Sequence, residues 1–344
     1  MERRPGLVIG EINVRRHTTD DPGNAVNTTV TEVEQPTTVR DDVRVAHRAH
    51  PAWWLLVVFV ALCAGGIVKM LVTNPNLQWD VVSRYFFSTS ILKGLGRTLE
   101  LTGLSMFLGI LIGVVTAVMR LSPIRVLSSV AWAYTWFFRG TPLLVQLVFW
   151  YNLAALFPVI KIGIPLVGPT LWSGEANAVI TPFVAALLGL ALNEGAYMSE
   201  IVRGGIVSVD HGQQEAAVAL GMRGNRVMRR IILPQAMRVI VPPTGNQVIS
   251  MLKSSALVSV TSMPELLYSA QLVYQQTFQT IPLLIVASLW YLIVTSILSI
   301  AQYYVERRYA RGGRQDLPPT PWQKLIRAFG NIQGSLQARA GRTS

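Results

Sequence analysis

Six runs in this chain are apolar over about the length a helix needs to cross a bilayer, and no other feature restricts its architecture as much. A hydrocarbon core about 30 Å thick asks for about 20 mostly apolar residues in helical form. Residues 52–72, 98–119, 141–157, 179–201, 241–260 and 281–304 meet that requirement, the third being short and the fifth only weakly apolar. The chain is 51% hydrophobic and 14% charged, against about 25% charged in an ordinary soluble domain. The expected fold class is therefore an all-α polytopic membrane protein with six transmembrane helices. The second run, TLELTGLSMFLGILIGVVTAVM, carries small residues at which two helices can approach closely. The third follows VLSSVAWAYTWFFRG, whose aromatics and Arg139 suit an interfacial helix that stops at the break made by Gly140, Thr141 and Pro142.

Arginine and lysine orient the spans, because short cytoplasmic segments retain positive charge. A cytoplasmic N-terminus puts Arg40, Arg44, Arg48, Arg120, Arg125, Arg307, Arg308, Arg311 and Arg314 inside, together with an arginine-rich loop between the fourth and fifth runs. The outside receives Arg84, Lys93, Arg97 and Lys161. The net charge of +12 then reads as a topology signal, and no nucleic-acid-binding motif competes with it. Residues 1–50 hold few aromatics and cannot bury enough apolar surface to fold alone, so a disordered cytoplasmic tail is expected. Such a tail is also too long to be the charged region of a signal peptide. In the second tail, 311–344, Trp322, Leu325, Ile326, Phe329, Ile332 and Leu336 recur at helical spacing and suit a helix on the inner leaflet or an unstructured tail.

Several kinds of chemistry are not expected. The single cysteine, Cys63, has no partner for an intrachain disulfide, and His17, His47, His50 and His211 lack metal-ligand spacing. No G-x-x-x-x-G-K-[ST] phosphate loop occurs. Metal, cofactor and catalytic residues are therefore none, and any nucleotide engine must be a separate protein.

The loop at about 208–240 is too helical to be a mere connector. In EAAVALGMRGNRVMRRIILPQA, Glu215 to Leu220 are mostly good helix formers, Gly221 is placed to end that helix, and VMRRIIL predicts a second short helix before Pro234. Two short helices joined at a glycine make a rigid knob with arginines facing the cytoplasm.

Here the sequence resembles a known family. GQQEAAVALGMRGNRVMRRIILPQAMRVIVPPTGNQVISMLKSSALVSV is similar to the EAA loop and following helix of permease subunits in ATP-binding-cassette (ABC) importers of polar amino acids. The likeness extends to GRTLELT, FFRGTPLLVQLVFWY and NEGAYMSEIVRGGI. The resemblance implies a five-helix permease domain at 95–310, preceded by an extra span at 51–73. It implies that Glu215, Ala216, Ala217, Gly221, Met222 and Arg223 couple to a cytoplasmic ATPase subunit. It also implies an external substrate-binding protein, a second permease chain and a prokaryotic plasma membrane. A self-sufficient channel or secondary transporter is the competing class, for which inverted repeats would be expected.

Glu194 and Lys253 fall inside apolar runs, where an ionised side chain costs about 3 kcal/mol unless paired or wetted. Two readings stand side by side. The pair neutralises itself between helices, or the two charges meet the ammonium and carboxylate of an amino acid. Gln146, Asn193 and Ser254, with Ser255 beside them, add neutral donors and acceptors that serve either a substrate or helix packing.

Overall fold

The computed structural model describes residues 51–163 and 170–310, and both expected tails lie outside them. The chain divides into two units, Met1–Ala64 and Gly65–Ser344. The described residues of the first belong to α1 (Pro51–Thr73), which at 1.5 Å per residue is about 35 Å long.

The second unit takes in the end of α1 and a 3-10 turn (Pro75–Leu77), followed by α2 (Trp79–Phe86), α3 (Thr89–Leu121), α4 (Arg125–Gly140), α5 (Leu143–Tyr151) and the single turn α6 (Leu153–Leu156). An antiparallel pair, β1 (Val159–Gly163) and β2 (Thr170–Glu175), leads to the turn α7 (Ala176–Val179) and to α8 (Pro182–Val207). The loop contributes α9 (His211–Ala219) and α10 (Gly224–Val227), and a π-helical turn (Met228–Ile232) carries the chain into α11 (Leu233–Ser254). A 3-10 helix (Ser255–Thr261) extends α11 before α12 (Leu266–Thr277) and α13 (Thr280–Ala310).

α3 and α8 share the largest helix–helix interface, and small residues explain how. Ser105, Gly109, Gly113 and Thr116 are buried on α3, and Ala191, Gly195, Ser199 and Val202 on α8. Each set recurs at three- or four-residue spacing, which puts it on one helical face and lets the backbones approach. A Cβ added at Gly109 would lie 2.8 Å from Glu194 Cγ. Three apolar clusters complete the packing. Val81, Val82, Ile91, Leu266, Leu283 and Val286 tie α2, α3, α12 and α13 together. Leu101, Leu147, Leu190, Met251 and Val258 fill the centre, and Ala117, Met198, Ala236 and Ile240 join α3, α8 and α11.

The six-run expectation holds unevenly. Among the described residues, Leu55–Thr73, Thr89–Leu121 and Thr280–Tyr309 are helical, long and apolar enough to cross a membrane. The 179–201 run is α8, 26 residues long but interrupted by Asn193, Glu194 and Glu200. The 141–157 run is broken: α5 has nine residues, about 14 Å, too short to span alone. Pro142 lacks an N–H and disfavours helix at the residue before it, so α4 and α5 part there. The 241–260 run starts earlier, at Leu233, and passes through Pro242 and Pro243. The all-α expectation also omitted the β1–β2 pair, and the hydropathy reading missed α2 and α12, which are too short to register as spans.

Candidate functional site

α8 and α11 face each other across a cavity of about 280 Å³ lined by both polar and apolar side chains. α8 contributes Leu190, Asn193, Glu194 and Tyr197, and α11 contributes Gln247, Ser250, Met251 and Ser254. Both sets follow i, i+3, i+4, i+7, one stripe of a helix. Leu143 and Leu257 close the lining.

Among the described residues, Glu194 is the only charged one lining this cavity. Its side chain is 5% exposed, and Gln247 Nε2 donates to its Oε1 at 3.1 Å. Among the described residues it has no ion pair. An ionised carboxylate accepts about four hydrogen bonds, so Glu194 keeps acceptor capacity toward the cavity.

The other expected residues separate into different roles. Ser254 lines the cavity, whereas Ser255 is buried and its hydroxyl donates to the Leu252 carbonyl. Gln146 is buried, and its Nε2 donates to the Phe138 carbonyl at 3.0 Å and to Thr141 Oγ1 at 2.7 Å. Asn193 Nδ2 donates to the same Phe138 carbonyl at 3.0 Å and to Gln146 Oε1 at 3.2 Å. These two amides therefore seal the backbone left open at the α4–α5 break, and Asn193 links that seal to the cavity. Lys253 is exposed, lies outside the cavity lining and forms no ion pair with Glu194. One residue along a helix is about 100° of rotation, which separates Lys253 from the face that carries Ser254. The mutual neutralisation of Glu194 and Lys253 is thus absent.

Tyr197, Gln247 and Ser250 were not anticipated, although the periodicity of Asn193 and Ser254 points to them. Also unanticipated is the cluster around Glu200. Arg203 donates to its carboxylate twice, at 3.0 and 2.8 Å, Arg120 once at 3.4 Å, and Arg139 Nη1 stands 3.8 Å away.

The loop forms the expected knob with a different inner construction. The Asp210 carboxylate accepts the Gly212 N–H at 2.8 Å and caps α9. At the other end Gly221 adopts φ 71°, its N–H donates to Val218 at 2.9 Å, and the Met222 N–H reaches back to Ala217 at 3.1 Å. That pairing is a Schellman cap, which favours glycine at the left-handed position. Ala217, Val227 and Ile232 form the knob's own core, with Met222, Ile206 and Val209 against it. Glu215, Ala216, Gly221 and Arg223 are exposed, Met222 is half-buried, and Ala217 is buried, so Ala217 shapes the knob from inside. Leu220 is 82% exposed beside them, an apolar contact that the sequence reading passed over. The second helix does not end before Pro234. The π turn moves the Leu233 N–H onto the Met228 carbonyl, and the helix runs on through a proline placed in its first turn, where a missing N–H costs little.

Three comparisons bear on this geometry. The family model for the binding-protein-dependent transport system inner membrane component matches residues 109–311. The arginine transport system permease protein ArgU of Corynebacterium glutamicum is 44% identical over 289 residues, 83% of this chain and 89% of that protein. The L-cystine transport system permease protein TcyB of Bacillus subtilis is 36% identical over 242 residues, 70% of this chain and 95% of that protein. Among solved structures, the crystal structure of an amino acid ABC transporter with histidines superposes with a TM-score of 0.56 at 37% identity, over 66% of this chain and 97% of that one.

Proposed function

The chain belongs to the family of binding-protein-dependent transport system inner membrane components, and from that premise we propose that it is the permease subunit of an ATP-driven importer of cationic amino acids. The observation that carries the substrate class is Glu194. It is a buried carboxylate on a cavity lined by both polar and apolar side chains, and among the described residues no cation joins that lining. An ammonium or guanidinium leaving water needs such a counter-charge, because an unpaired ion in low dielectric costs several kcal/mol. Gln247, Ser250 and Ser254 add neutral hydrogen-bonding groups around it. The cavity, about 280 Å³, falls just below the roughly 300–1,000 Å³ usual for small-molecule sites, which suits a ligand no larger than one amino acid. The names of the relatives, arginine and L-cystine permeases among them, support the amino-acid class.

The rest of the machine follows from what the chain has and lacks. Its sequence contains no phosphate loop, which supports ATP hydrolysis by a separate cytoplasmic subunit. Glu215, Ala216, Leu220, Gly221, Met222 and Arg223 present the knob on which that subunit docks. A second permease chain closes the pathway, and an external binding protein delivers the substrate. We place the chain in a prokaryotic plasma membrane with six spans, an extra N-terminal one at 51–73 before the domain at 95–310, and both termini inside. The arginine distribution supports that orientation.

The test is substrate binding by the assembled transporter in lipid nanodiscs without its binding protein. Radiolabelled L-arginine should bind and be displaced by L-lysine but not by L-glutamate. Preferential binding of L-glutamate would overturn the substrate class.

A further inference from the structure

We propose that Arg139 binds the substrate's carboxylate at the rim of the Glu194 cavity, and so makes the site specific for free amino acids. This rests on the reading of that cavity as the substrate site. A cationic amino acid carries a carboxylate as well as its positive groups, and Glu194 can only repel it. A second group of opposite sign is therefore required within the length of one amino acid. Lys253 and Arg139 are both exposed and outside the lining itself, but only Arg139 lies over a lining residue, Tyr197.

Arg139 is held in place by the structure around the α4–α5 break. The carbonyl of Phe138, the residue before it, accepts a hydrogen bond from the cavity residue Asn193 at 3.0 Å, which fixes the Arg139 backbone beside the cavity. Its guanidinium lies 5.5 Å over the ring of Tyr197, four residues along α8 from Asn193 and also part of the lining. The side chain therefore runs along the cavity rim and is oriented by the face of an aromatic ring.

Its charge is only loosely paired, through a long contact to Glu200. Glu200 already accepts two short hydrogen bonds from Arg203 and one from Arg120. Arg139 stands off at 3.8 Å, beyond the N–H···O range. Three guanidiniums share one carboxylate, and the loosest of them is the one beside the cavity, with 44% of its side chain exposed. A guanidinium in that state can take a carboxylate in a bidentate grip while giving up only a long ion-pair contact.

The experiment compares L-arginine with agmatine, which keeps the guanidinium and lacks the carboxylate, on the assembled transporter in nanodiscs. The wild type should bind L-arginine about tenfold or more tightly than agmatine. Arg139→Gln should weaken L-arginine by that factor and leave agmatine unchanged, bringing the ratio toward one. Arg203→Gln removes the better partner of Glu200 and should keep the wild-type ratio. Should Arg139→Gln fail to accumulate, Arg139→Lys is measured instead and should lower the ratio because it loses the bidentate geometry. An unchanged ratio, or equal weakening of both ligands, overturns the proposal. Failure of the cavity reading is distinguishable: Glu194→Gln would then leave L-arginine and agmatine affinities both unchanged.

Discussion

Glu194 and Glu265 are both buried, yet their surroundings use them in opposite ways. Glu265 is 0% exposed and caps α12. It accepts the N–H groups of Leu267 at 2.8 Å and Tyr268 at 2.6 Å, and the Tyr291 hydroxyl at 2.9 Å. Thr98, in the GRTLELT stretch of α3, stands beside it and accepts the Leu266 N–H at 3.0 Å. One carboxylate thus joins α3, α12 and α13. Glu194 has Gln247 alone as a hydrogen-bonding side chain among the described residues, and it faces a cavity. Burial by itself does not mark a functional site. A carboxylate with its acceptors filled by protein donors is a strut, and one with acceptors left over beside a cavity is placed to meet a ligand.

The difference can be broken most forcefully at the strut. Glu265→Ala should destabilise the protein by about 3 kcal/mol or more, because it strands two N–H groups and the Tyr291 hydroxyl. Thermal unfolding in detergent checks this, and a shift no larger than that of a surface substitution would remove the contrast. Gly109→Val attacks the site from behind by pushing a branched side chain into Glu194, at a cost of about 1–3 kcal/mol from overpacking. Its L-arginine affinity should fall along with its stability.

Gly221→Val separates loss of the site from loss of coupling. A β-branched residue at φ 71° costs about 1–2 kcal/mol and distorts the cap beneath the exposed knob. Substrate binding should persist in this variant while ATP hydrolysis no longer drives uptake, which parallel binding and uptake assays would reveal. Lys253→Met should have the smallest effect on stability, within about 0.5 kcal/mol, because Lys253 is exposed and forms no ion pair. A large loss on unfolding would show that its charge is paired.

These contrasts mark how far the sequence could be read. α3 and α13 were visible because a long apolar run needs no partner to be recognised. The knob was visible because its helix formers and Gly221 act locally. α12 escaped, since its cap depends on a glutamate whose other contacts come from Thr98 and Tyr291, far away in the chain. Gln146 stood out as polar within an apolar run, but its amide is spent on Phe138 and Thr141 at a break created by Pro142. Gln247 and Ser250 were overlooked because hydropathy treats each helix alone, and the stripe they share with Ser254 gains meaning only when α8 lies opposite. Lys253 was misplaced for a related reason: a window average does not register which way a side chain rotates.

Uptake by Glu194→Gln, normalised to folded transporter in the membrane, decides whether Glu194 serves the substrate, as we propose, or the fold. Glutamine keeps the shape and can still bond Gln247 while losing the charge. The variant should keep an unfolding stability within about 1 kcal/mol of the wild type and intact ATP hydrolysis, while cationic amino-acid uptake falls at least about tenfold. Uptake within about twofold of the wild type, from a protein equally well folded, would contradict the substrate role.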